Sequence, residues 1–137
     1  MELLEVLYEE GLSTRCVHRL NGAEIVTDAP KESFGRGLMF SPTDLLAAAL
    51  GSCVLTLMGL AAKKLQVEIT GTKAQIDKEM VSQPVRRIGK LIVTVFCPHT
   101  YSQQIQEELE KAGRLCPVHN SLHPDIIQEF VFHWGVS

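Results

Sequence analysis

Four cysteines, Cys16, Cys53, Cys97 and Cys116, are the side chains of this 137-residue sequence best suited to covalent chemistry. A thiolate can be a nucleophile, a metal ligand or half of a disulfide, and its pKa and neighbours decide which. Cys116 opens "CPVHNSL", where Pro117 suits the first position of a helix. Its sulfur then sits at a helix N-terminus, whose free N–H groups and dipole favour thiolate, and a protonated His119 on the same face would add to this. Two readings of Cys116 stand side by side: a thiol whose pKa falls below the ordinary range, or only a residue at the cap position. Cys53 lies in "AALGSCVLTL". A free cysteine there usually packs as a small hydrophobe, but Gly51 and Ser52 beside it leave room for another backbone or a ligand.

Two further constellations compete with a thiol pair. "CPH" at 97–99 and "CPVH" at 116–119 supply Cys97, His99, Cys116 and His119, with His123 nearby, all of types that zinc accepts. Cys-x-His is an unusual first pair, however, and one pair closes a strand while the other opens a helix, which makes zinc the weaker reading. Arg36, in the "FGRG" loop, is either a solvated loop charge or a lid residue that pairs with a thiolate or bound peroxide. Arg15 and Arg19 fall on strands, where arginines commonly snorkel. Structural disulfides are not expected, because the chain reads as cytosolic and that compartment keeps thiols reduced. The cytosolic reading comes from "MELLEVLYEE", acidic where a signal peptide is basic and without a long apolar run.

The elements that must position these residues are legible in outline. "TRCVHRL" and "AEIVTD" read as strands joined by a two-residue turn at Asn21-Gly22, after a short mixed segment "LLEVLYEE". "APKESFGRGLMF" reads as a loop. A long helix then begins: Ser41 caps it, Pro42 takes its first position, Asp44 reaches back to the cap, and Lys63 and Lys64 close it at the negative end. "LQVEITGTKAQID" and "RIGKLIVTVFC" follow as strands, the second of central-strand type. "SQQIQEELEKAGRL" is an amphipathic helix with Ile105, Leu109 and Ala112 on one face, and "IIQEFVFHWGV" alternates as a half-buried strand. The order predicts an α+β fold, one domain spanning residues 1–137.

Composition limits the partners. A formal net charge of −3, with basic residues scattered, offers no basic patch for nucleic acid or anionic lipid. From Leu45 to Ala62 no side chain is charged, and the run approaches the lower limit of a membrane span. Gly51, Ser52, Cys53, Thr56 and Gly59 interrupt its apolarity, and amphipathic elements flank it, so the expectation is a core helix and no membrane. A helix apolar all round must be buried all round. A chain this short cannot enclose it alone, so a homodimer is expected.

"SPTDLLAAALGSC", ending at Cys53, and "CPVHNSL", beginning at Cys116, together resemble the OsmC/Ohr family of thiol-dependent hydroperoxide reductases. The order of elements fits over essentially the whole chain. The resemblance implies an OsmC-like fold, an intertwined homodimer with sheets wrapped around long central helices, and no metal or organic cofactor. It implies that Cys53 is the peroxidatic cysteine and Cys116 the resolving one, reducing organic hydroperoxides to alcohols and relying on an external dithiol. Family peroxidases hold the thiolate with an arginine and a glutamate. Arg36 is the best match for the arginine. The glutamate position, directly after the proline, is Thr43 here, with the acid at Asp44, one residue and about 100° of helical rotation further on. That departure motivates a second expectation, a catalytically weak relative that binds an apolar small molecule at a pocket between subunits.

Overall fold

The computed structural model of the protein describes residues 3–137. The chain forms two compact units, one up to Leu46 and one from Ala47 to Ser137. The first holds an antiparallel sheet in the order β1 (Leu4–Glu9), β2 (Ser13–His18), β3 (Glu24–Asp28). The mixed segment is therefore a strand, and its alternation of Leu4, Val6 and Tyr8 pairs it with β2 through Val6 and Cys16. The β2–β3 turn differs from expectation. His18 donates to Ala23 O at 2.8 Å, leaving residues 19–22 between the strands, and of Asn21 and Gly22 only the glycine has positive φ. Asn21 instead accepts from the Ala23 N–H at 2.9 Å, a side-chain bond that stabilises a longer turn.

Residues 29–40 loop back so that Phe40 bridges Thr27 and its carbonyl accepts from Asp28 N. Gly35 is required in this loop because a Cβ there would fall 1.9 Å from the Ala29 carbonyl oxygen. One face of the sheet, with Leu4, Val6, Cys16, His18, Ile25 and the nearby Leu45, borders a largely apolar concavity of about 380 Å³.

Helix α1 (Pro42–Leu65) starts at the end of this unit and runs through the second. Its start is a capping box: Asp44 N donates to Ser41 Oγ at 3.1 Å, and Ser41 N donates to Asp44 Oδ2 at 3.0 Å. The second unit contains β4 (Lys73–Val81), β5 (Arg87–Cys97), α2 (Gln103–Arg114), α3 (Pro117–Ser121) and β6 (Ile127–Trp134). β5 is the central strand, antiparallel to β4 and parallel to β6. Leu91, Val93, Val95 and Cys97 of β5 are buried, as are Leu50, Val54 and Met58 of α1 and Leu109 of α2. Gly51 of α1 abuts Ile76 and Ala74 of β4, and Gly113 of α2 abuts Val54 and Met58.

The strand expected from Leu65 begins only at Lys73. Gln66 ends the helix at φ 58°, and the Glu68 carboxylate accepts from the N–H groups of Ile69 (3.0 Å) and Thr70 (2.8 Å). Such side-chain bonds compete with a ladder and turn an alternating segment into a tight connection.

By length and composition α1 could cross a membrane. The stripe Ala47, Leu50, Val54, Met58 and Ala62 is nevertheless buried, at helical spacing, within the protein. Its outer side is uncharged but only partly covered, with Ala49, Ser52, Thr56 and Leu60 exposed, Leu60 by 52%.

Candidate active site

α1 and α3 bring two of the four cysteines together. Cys53 follows the buried pair Leu50 and Gly51 and is half-buried, and all four thiols are free. Cys116 is the residue before α3 and is fully buried. Its thiol interacts with that of Cys53 and accepts from the backbone N–H of His119 at 3.3 Å.

Of the two readings of Cys116, the lowered pKa is not found; the thiol is pushed up. Burial is the largest cause and the hydrogen bond with Cys53 the next, together outweighing the N–H groups of His119 and Val118. A five-residue helix supplies only a small dipole, whereas excluding water penalises the thiolate directly. Cys116 is therefore held as a thiol at neutral pH. The His119 ring is engaged with β6: Nδ1 lies 2.5 Å from Gln128 Oε1, and Phe130 meets the ring edge-on at 5.1 Å.

The zinc constellation is not assembled. His99 Nε2 is bonded to the Thr70 carbonyl oxygen at 2.8 Å, His123 pairs with Asp125, and Cys97 is buried on β5. Among the described residues no three His, Cys, Asp or Glu side chains are grouped to hold a metal ion. Cys16 is half-buried and borders the concavity on the N-terminal sheet.

Arg36 and Asp44 both have structural partners in the N-terminal unit. Arg36 Nη2 donates to Asp28 Oδ1 at 3.0 Å and to Ser13 Oγ at 3.2 Å. Asp28 is a buried carboxylate that the sequence reading passed over. Burial alone would raise its pKa, but hydrogen bonds from Arg36, Ser13 and the Leu38 N–H together hold it below the ordinary aspartate value. The pair pins the 29–40 loop to β2 and β3. Asp44 is engaged in the α1 capping box, with Thr43 Oγ1 3.2 Å from Ser41 Oγ. Arg15 pairs with Glu9 and Glu24, and Arg19 with Glu5.

Comparisons with known proteins agree with this architecture. A crystal structure from Psychrobacter arcticus 273-4, of a candidate osmotic stress induced and detoxification response protein, superposes with a TM-score of 0.92 at 37% identity, covering 97% of this chain and 96% of that one. An OsmC-like protein from Mycoplasma pneumoniae superposes with a TM-score of 0.81 at 17% identity, over 98% of this chain and 96% of that one. An organic hydroperoxide resistance protein from Elizabethkingia anophelis gives 0.74 at 17% identity over the same shares. The latter two likenesses establish the fold alone. No curated protein matches. Residues 35–129, from the Arg36 loop through both clustered cysteines and into β6, match the family described as OsmC-like protein. With the α+β fold and these matches in hand, the chain belongs to the OsmC-like protein family.

Proposed function

We propose that the protein is a thiol peroxidase that reduces organic hydroperoxides. The observation that carries this reading is that half-buried Cys53 and buried Cys116 are interacting neighbours in a chain of this family. The thiolate of Cys53 attacks the terminal peroxide oxygen; an S–O bond forms, the O–O bond breaks and the alkoxide leaves as the alcohol after taking up a proton. Cys53 is left as a sulfenic acid. The Cys116 sulfur then attacks the Cys53 sulfur, the S–S bond forms, and hydroxide departs with the Cys116 proton as water. An external dithiol restores both thiols by two exchange steps. The apolar surround of α1 favours hydroperoxides with hydrocarbon substituents, in keeping with the name of the Elizabethkingia neighbour. A reducing compartment such as the cytoplasm suits this cycle.

The assembly proposed is a homodimer. Two uncovered surfaces support it: the outer side of α1, uncharged from Ala49 to Leu60, and the apolar concave face of the β1–β3 sheet. Light scattering that gives the mass of one chain at micromolar concentration would count against it.

Cys53→Ser should abolish dithiol-dependent consumption of cumene hydroperoxide, while Cys116→Ser should form one sulfenate per chain and stop. Unchanged turnover in the Cys53→Ser protein refutes the mechanism. A second reading is a binding protein for an apolar small molecule, favoured by the apolar concavity beside Cys16 and by the engagement of Asp44 in the helix cap. A co-purifying ligand in native mass spectra, with no peroxidase activity, would select it.

A further inference from the structure

The inward side of β6 carries Phe130, Phe132 and Trp134, and the same alternation places Gln128 among them. A half-buried amide on an aromatic face needs partners for both its ends, since leaving either unpaired costs more than a typical bond returns. Gln128 finds both on one residue. Its Nε2 donates to the His119 carbonyl oxygen at 3.2 Å, and its Oε1 lies 2.5 Å from His119 Nδ1. The first bond fixes the orientation of the amide, so the atom facing the ring is an acceptor and Nδ1 must carry the proton. His119 in turn offers its own backbone N–H to Cys116 Sγ at 3.3 Å. One β6 side chain thus grips the ring and the carbonyl of the residue whose amide is bonded to the Cys116 sulfur.

Helix α3 has five residues, too few to hold its own shape. Its position, and that of the Cys116 sulfur before it, must come from tertiary contacts. We propose that Gln128 is a positioning residue for the Cys53–Cys116 pair, acting through His119 to hold the turn that carries the Cys116 sulfur. This rests on the thiol chemistry proposed above and deepens it. The step served is closure: the Cys116–Cys53 S–S bond forms, the S–O bond of the sulfenic acid breaks, and the Cys116 proton leaves with hydroxide as water. Gln128 touches none of the reacting atoms and moves no proton. Its contribution is to keep the attacking sulfur aligned, an effect of orientation.

The test compares disulfide closure in the full-length reduced protein after one equivalent of cumene hydroperoxide and, separately, of diamide, a diazene that takes up the two thiol hydrogens. Gln128→Leu keeps the volume of the side chain and removes both bonds; closure should slow by about tenfold, in line with losing hydrogen bonds that align the sulfur. His119→Ala should slow it similarly. His119→Asn should restore closure to within about threefold of wild type, because Asn Nδ2–H stands where Nδ1–H stood and can still donate to Gln128. Sulfenate formation, followed by dimedone labelling in a Cys116→Ser background, should change less than about twofold on adding Gln128→Leu, since positioning acts on the second sulfur only. Closure at the wild-type rate in Gln128→Leu, equal slowing of both steps, or a His119→Asn protein as slow as His119→Ala each overturns the proposal. Should Gln128→Leu fail to fold, the two His119 variants decide it. Wild-type protein that closes with diamide but not with hydroperoxide overturns the peroxidase reading alone and leaves the diamide comparison to judge Gln128; closing with neither overturns both.

Discussion

Gly51 offers a quantitative check on how tightly α1 seats against the sheet that accompanies the cysteine pair. A Cβ built on it would lie 2.7 Å from Ile76 Cδ1 and 3.1 Å from Ile76 Cγ1, with Ala74 Cβ at an ordinary 3.7 Å. Carbon atoms rest at about 3.5–4.0 Å, so Gly51→Ala demands that Ile76 or the helix give way by roughly an ångström. Overpacking of this kind costs about 1–3 kcal/mol. Replacing glycine by alanine inside a helix gains about 1 kcal/mol. The expected net is a destabilisation of about 1 kcal/mol, less than half the cost of a buried leucine truncation because the clashing atom ends a flexible side chain. Ile76→Val removes Cδ1 and by itself should cost about 1 kcal/mol. In the double variant the clash largely vanishes and the helix gain offsets the lost methyl, so the double should be near neutral and the summed single effects should exceed it by about 2 kcal/mol. Urea titrations at one fixed protein concentration, with unchanged m-values, measure all four corners of the cycle. A Gly51→Ala protein more stable than wild type, or strictly additive effects, would refute the close contact. Because Cys53 follows two residues later, the single variant should also slow closure of the proposed Cys53–Cys116 disulfide, and Ile76→Val should restore it.

Two further expectations concern titrating groups. The Asp28 carboxyl is held below its ordinary pKa, so the stability it confers is present above the unfolded value near pH 4 and is lost as the pH falls through the folded value; Asp28→Asn should lower the melting temperature at pH 7 and flatten the acid limb of the stability curve, and an unchanged acid limb would refute the role of the Arg36–Asp28 pair. The Cys116 thiol is held above its ordinary pKa, so in the reduced protein its alkylation by iodoacetamide, followed by mass spectrometry, should be slow at pH 7 and rise only above the usual thiol range near 8.5. By the same linkage its contribution to stability declines as the pH climbs through the folded value, and alkylation at neutral pH as fast as that of a low-pKa thiol would contradict the burial that raises it.

Where a local signal is strong and self-contained, the sequence is a good guide. The Ser41–Asp44 capping box, Pro42 at the first helical position and the lysines at the far end specify α1 without reference to anything distant, and the structure has that helix from Pro42 to Leu65. The β-branched run of β5 likewise announces a central strand. Local reading fails where side chains bond the backbone in competition with regular structure: Glu68 breaks an apparent strand, and Asn21 lengthens an apparent two-residue turn. It also fails where charge meets burial. Nothing near Asp28 in the sequence marks it as a buried anchor, because Ser13 lies on another strand and Arg36 in the following loop. Gln128 did carry a signal, a polar residue in the inward register of an aromatic strand, but its partner His119 could not be named from that pattern.

Sequence alone therefore settled the residue types capable of chemistry, the long helix carrying Cys53, the α+β order of elements and the family resemblance, all of which follow from short-range propensity, periodicity and motif. Tertiary structure decided what those residues experience. It brought Cys116 from the start of a short helix to the side of Cys53, and buried it so that a thiol whose helix position favours ionisation is instead held protonated. The reason is physical: a helix cap acts over one turn of chain and can be read from three or four letters, whereas desolvation depends on every element that closes over an atom, and those come from distant parts of the sequence.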